Sequence, residues 1–218
     1  METEQVWSEI EAARLRLADF LDTLSPEDWE HPSLCSGWRV RDVAAHLTLA
    51  PQTSIGRSMV DFAKARGNFN RLVLQTAIRQ ADLPTGEIVG LLRSLAGSRR
   101  TPPGTGPLTT ILDVLTHTQD ISQPLGREIE VPAAAARVAA ERAWSMGWPF
   151  HARKRLGGFR LVGTDTGWTA GAGPVVEGPT SAMLQLLTGR SEALERLSGD
   201  GAADLARKVF GRTENSPS

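Results

Sequence analysis

Asp113 and His117 stand four residues apart in an apolar run, and a second histidine, His46, sits in the run Arg41 to Leu47. Residues four apart share one face of a helix, so Asp113 and His117 point the same way. Two imidazole nitrogens and one carboxylate oxygen make a donor set that zinc, nickel or iron accepts. Three protein ligands leave coordination positions open, as in catalytic sites, whereas closed structural sites use four ligands and usually cysteine. The expected metal centre is therefore His46, Asp113 and His117. Spacing alone also fits a plainer arrangement, with histidines satisfied in the core and Asp113 as an ordinary first-turn acid. Asp120, three residues after His117, is placed to accept the second N–H of a metal-bound imidazole. Asp42, four before His46, suits either the metal or the N-terminus of its own helix. Cys35 has no basic neighbour in sequence that would activate it, and His31 and His151 read as solvated.

These side chains need helices to position them, and the chain supplies several. Val6, Ile10, Leu17, Phe20, Leu21 and Leu24 recur at helical spacing. Ser25-Pro26-Glu27-Asp28 carries a cap, a proline at the first helical position and first-turn acids. A helix bearing His46 begins after Trp38, and Pro51 should kink or break it. Helical periodicity resumes over 53–65, Phe69 to Ala81 and Ile88 to Leu95, then over Leu108 to Ile121, the stretch with Asp113 and His117. The alanine-rich stretch Pro132 to Met146 is also helical. Short β-compatible segments at Phe159–Val162, Gly167–Ala170 and Pro174–Glu177, separated by turn residues, read as a small meander. A helix over Pro179 to Leu187, capped by Gly189, and two weaker helical pieces complete the chain. The expected fold is α+β: a helical bundle over residues 1–152, a small α+β domain over 153–212 and a frayed tail over 213–218.

The 218 residues suffice for a sizeable core, and 24 basic against 25 acidic residues give no electrostatic case for nucleic acid or a membrane surface. One cysteine excludes an internal disulfide framework, and no apolar run approaches the roughly 18 residues of a membrane span. The expected setting is the cytoplasm, and the expected partners are small molecules. A homodimer is compatible with the sequence.

Trp38-Arg39-Val40-Arg41-Asp42-Val43-Ala44-Ala45-His46-Leu47, following Pro32-Ser33 and Ser36-Gly37, resembles the first signature of the mycothiol-dependent maleylpyruvate isomerase family, within the wider DinB-like group. Asp113, His117 and Asp120 match its second signature, acid-x-x-x-His-x-Trp-Asp, with Asp113 in place of the usual glutamate and Gln119 in place of tryptophan. Phe159 to Glu177, Gly178-Pro179 and Thr188-Gly189-Arg190 are similar to the family's sterol-carrier-like C-terminal domain. The resemblance implies a DinB-like four-helix bundle with a divalent metal on His46, Asp113 and His117. It also implies the thiol mycothiol as cofactor or co-substrate. It places Arg190 where an arginine could hold a substrate carboxylate bidentately. Asp113 is shorter than glutamate by about 1.5 Å of reach, so weaker or water-mediated coordination is one expectation.

The function expected is therefore that of a metal-dependent enzyme in which a small thiol attacks a small electrophilic substrate, of isomerase or S-transferase type. Two other classes fit the same residues. One is a non-catalytic ligand- or partner-binding protein; the other is a metal-dependent hydrolase using bound water.

Overall fold

A computed structural model describes residues 1–52, 69–102 and 104–213. The helix expected over 53–65 and most of the expected tail lie outside the described residues. The chain divides into two compact units, Met1–Glu130 and Val131–Ser218.

The first unit is helical. Its elements are α1 (Thr3–Leu21), α2 (Pro26–Glu30), α3 (Val40–Leu49), α4 (Phe69–Ala81), α5 (Thr85–Ser94) and α6 (Pro107–Ser122). Contacts run from α1 to α6, α6 to α3, α3 to α5 and α5 back to α1, which closes a four-helix bundle, and α4 packs along α3. Each wall presents an apolar stripe at helical spacing: Val6, Ile10, Leu17 and Leu21 from α1, Val40, Val43, Ala44 and Leu47 from α3, Ile88 and Leu92 from α5, and Ile111, Val114 and Leu115 from α6 are all buried. Pro51 ends α3 as expected, in a 3₁₀ turn at Ala50–Gln52. Ser25 caps α2, its side chain accepting from the Asp28 N–H at 3.2 Å. Arg14 is a cation buried in this core. Arg14 Nη1 donates to the carbonyls of Leu95, Ala96 and Ser98 at 3.2, 3.1 and 2.9 Å, closing the end of α5 from the side of α1.

The second unit contains α7 (Ala133–Ser145), α8 (Ala152–Arg155), β1 (Arg160–Gly163), β2 (Trp168–Gly171), β3 (Val175–Gly178), α9 (Thr180–Thr188) and α10 (Ala202–Thr213). The division falls after Glu130, whereas the sequence suggested one after residue 152. The reason is α7: its buried face is Ala135, Ala136, Ala139, Ala140 and Ala143, and it packs on α9 of this unit. Side chains this small let two helix backbones approach closely. Helix α9 is buried almost all round, with α7, β1 and a 3₁₀ segment at Ser191–Arg196 against it. Asp165, in the β1–β2 turn, accepts from the Thr180 backbone N–H at 2.9 Å and from the Thr180 hydroxyl, satisfying the N-terminus of α9. Gly189 ends it in the left-handed conformation, at φ 99°.

The sheet is not a meander. Its order is β2-β1-β3, with β1 antiparallel to β2 and parallel to β3. The short connection after β2 must therefore pass across the entrance to β1. Gly171 and Gly173 make this crossing at φ 76° and 127°, and a Cβ on either would lie 2.3 Å from the Phe159 carbonyl or 2.1 Å from that of Gly158. Glycine is required there both for backbone conformation and for space. Among the described residues no helix is long and apolar enough to cross a membrane.

Candidate metal centre

Helix α3 carries His46 and helix α6 carries Asp113 and His117, and the packing of these two helices brings the three side chains together. Asp113 Oδ1 lies 3.5 Å from His117 Nε2 and 3.7 Å from His46 Nε2. All three donor atoms fall within 4.8 Å of one another. Ligands bound at about 2.1 Å around a tetrahedral ion stand about 3.4 Å apart, and the two separations here are close to that spacing. They exceed hydrogen-bond length. The shorter carboxylate of Asp113 thus reaches both imidazoles. The side chains of His46, His117 and Asp113 remain 18, 17 and 33% exposed, so the cluster opens to solvent on one side.

The imidazole rings pack edge to face, with centroids 5.1 Å apart and planes at 82°. Trp38 stands against His46 in the same manner, at 5.7 Å and 84°. On the far edge of His117, Nδ1 and Asp120 Oδ2 are 2.8 Å apart, and the Asp120 side chain is fully buried. A carboxylate there makes Nδ1 the protonated nitrogen and leaves Nε2 to face the cluster. Without a cation, burial opposes a charge on His117, but the Asp120 contact, the Cys35 sulfur and the Asp113 carboxylate outweigh it and raise its pKa to about 10. Asp113 is held below the usual carboxylate range: burial works against its charge, and His46, His117 and Arg14 together prevail.

Asp42 belongs to its own helix end. It accepts from the Arg39 backbone N–H at 2.8 Å and from the Arg39 guanidinium at 3.0 and 2.9 Å. Arg190 lies in the second unit, after α9, where its Nη1 donates to the Thr188 carbonyl at 2.7 Å. His31 and His151 are exposed. Gln119, which stands where the signature has tryptophan, is buried and turned back on its own helix, with Nε2 donating to the Leu115 carbonyl at 3.3 Å.

Sequence reasoning missed Cys35. Its sulfur lies 3.1 Å from Asp120 Oδ2 and 3.6 Å from His117 Nδ1, so these three also form a potential ligand group. The separations argue against a cation at that position. At 2.8 and 3.1 Å the carboxylate oxygen already makes hydrogen bonds with the imidazole and the thiol, leaving no room for an ion between them.

Residues 10–122 match the family model described as the mycothiol maleylpyruvate isomerase N-terminal domain. The matched stretch contains His46, Asp113 and His117. No curated protein matches the chain. Among solved structures, the chain is similar to that of the mycothiol-dependent maleylpyruvate isomerase, with a TM-score of 0.64, 13% identity and coverage of 93% of this chain and 94% of that one. It is equally similar in fold to a histidine-to-alanine mutant of that enzyme, at 12% identity with the same TM-score and coverage.

Proposed function

The chain belongs to the mycothiol maleylpyruvate isomerase family, and from that premise we propose that it is a metal-dependent enzyme using mycothiol or a similar small thiol, of isomerase type. His46, Asp113 and His117 would hold one divalent cation, zinc before nickel or iron. The observation that carries this reading is the placement of Asp113 Oδ1 at 3.5 and 3.7 Å from the two imidazole Nε2 atoms, a separation that suits a shared ion better than direct hydrogen bonds.

A divalent cation held there would supply Lewis acidity, lowering the pKa of a coordinating thiol so that its proton is released to solvent; free, only a few per cent of such a thiol is thiolate at neutral pH. The chain's own residues set the terms of that chemistry. Two neutral imidazoles and one carboxylate would leave a bound dication with a net charge of about +1, enough to favour an anionic sulfur beside them. Asp120 holds the His117 ring so that Nε2 faces the cluster. The exposed side of the cluster admits thiol and substrate. The thiolate sulfur then bonds to one carbon of an activated double bond, whose π pair moves to the electron-withdrawing group. Rotation about the resulting single bond and expulsion of the thiolate restore the double bond with changed geometry, and no other reactant is consumed.

Elemental analysis of untagged protein and turnover assays with and without mycothiol test this reading. The expected result is one equivalent of metal in the wild type, its loss in His46→Ala and His117→Ala, and turnover that requires thiol. A variant that keeps both metal and thiol-dependent turnover would overturn it. Hydrolysis of activated esters indifferent to thiol would instead identify a hydrolase, and a folded, metal-free wild type would identify a binding protein.

A further inference from the structure

The loop between α2 and α3 touches both histidines of the cluster, one through Trp38 and the other through Cys35 and Asp120. Its own geometry is tightly determined. The Ser33 N–H and hydroxyl both donate to the Trp38 carbonyl, at 2.8 and 2.9 Å, the Trp38 N–H donates to the Cys35 carbonyl at 2.9 Å, and the Cys35 N–H donates to Ser33 Oγ at 3.1 Å. Gly37 takes φ 78° to close the turn. The loop is also tied to α6, since the Leu34 N–H donates to the Asp120 carbonyl at 3.1 Å. Asp120 is thus gripped twice by the loop, by backbone at its carbonyl and by the Cys35 thiol at its side chain.

The side-chain contact matters more than its length suggests. Asp120 Oδ2 is the very atom that meets His117 Nδ1, so thiol and imidazole converge on a single carboxylate oxygen. Two donors converging on one oxygen of a fully buried carboxylate restrict its rotation about the last bond more than either does alone. The imidazole depends on the carboxylate's orientation for its tautomer and for the aim of Nε2.

We propose that Cys35 is a positioning residue for the metal centre: its thiol, acting as a hydrogen-bond donor to Asp120, fixes the carboxylate that orients His117 towards the cation. It is neither a nucleophile nor a ligand. The inference rests on the proposed metal set of His46, Asp113 and His117 and deepens it.

The test measures metal affinity by competition with a chromogenic chelator, using Zn²⁺ on the metal-stripped full chain, for the wild type and for Cys35→Ala, Cys35→Val, Cys35→Ser and His46→Ala. Outer-shell partners of metal-bound histidines typically account for about 10- to 100-fold in affinity. A tenfold or greater loss is expected in Cys35→Ala and Cys35→Val, which lack the donor. Cys35→Ser keeps a donor and should recover to within about threefold of the wild type. A packing role would make the serine and alanine variants equally weak, and that outcome would overturn the proposal, as would wild-type affinity in the alanine and valine variants. Circular dichroism and thermal melts of the metal-free variants restrict the comparison to folded protein. The Co²⁺ derivative gives the second readout. It should show no intense near-ultraviolet thiolate-to-cobalt band in the absence of added thiol. Such a band, lost in Cys35→Ala, would make Cys35 a ligand and overturn the inference. If wild type and His46→Ala bind Zn²⁺ equally, the metal set itself fails; if His46→Ala loses metal while the Cys35 variants do not, only the positioning role fails.

Discussion

At the scale of single residues, the centre depends on where protons sit. His117 has a pKa of about 10 without a cation, against an ordinary 6.5, because its surroundings favour the charged ring. A folded-state pKa raised in this way contributes stability that is fully present below pH 6.5 and lost as pH rises through about 10. Thermal melts of the metal-free protein should therefore fall progressively across that window, and Asp120→Asn should remove most of the slope. Metal must displace the same proton, so Zn²⁺ affinity should strengthen with pH across it. Asp113→Asn is expected to weaken Zn²⁺ binding by at least about 10-fold, the lower end of what even outer-shell partners cost, whereas Asp113→Glu keeps a charged ligand and should retain the metal. Chelator competition measures both. The i, i+4 spacing of Asp113 and His117 and the i, i+3 spacing of Asp120 were legible in sequence because a helix converts spacing directly into direction. Cys35 was not, because its approach to Asp120 depends on loop closure and on the packing of two distant segments. The turn-rich run Ser33 to Gly37 was the only signal available.

At the scale of elements, hydrophobic periodicity located the long helices among the described residues to within a few residues, including the breaks at Pro51 and Gly189. It could not say which helix packs on which. An alanine face like that of α7 looks the same whatever it meets, and its partner turns out to be α9, some 40 residues further along. A larger side chain should not be tolerated there. Ala139→Leu is expected to lower stability by about 1–3 kcal/mol through overpacking, read as a reduced midpoint in denaturant unfolding. Strand order was equally hidden. Short segments divided by turns suggest hairpins, and nothing local reveals that the connection after β2 crosses the start of β1. The glycines that permit the crossing are its trace in the sequence. Gly173→Ala, placing a Cβ against the Gly158 carbonyl at positive φ, should cost more than about 1 kcal/mol.

At the scale of the whole molecule, the proposed ligands and the residues that orient them all fall before Glu130, within one of the two units. The fragment 1–130, if expressed folded, should bind Zn²⁺ as tightly as the full chain, which calorimetric titration of both would establish. The second unit has its own interior, and α9 lies at the middle of it. Every residue of that helix except Ser181 is buried, its first turn is held by Asp165, and at its far end Arg155 reaches the Leu186 carbonyl at 2.7 Å. Solvent can reach the amides of Ala182 to Leu187 only when the surrounding layers separate. In deuterated buffer these protons should be the last in their unit to disappear, and their rate of loss would report how often that half of the protein opens completely.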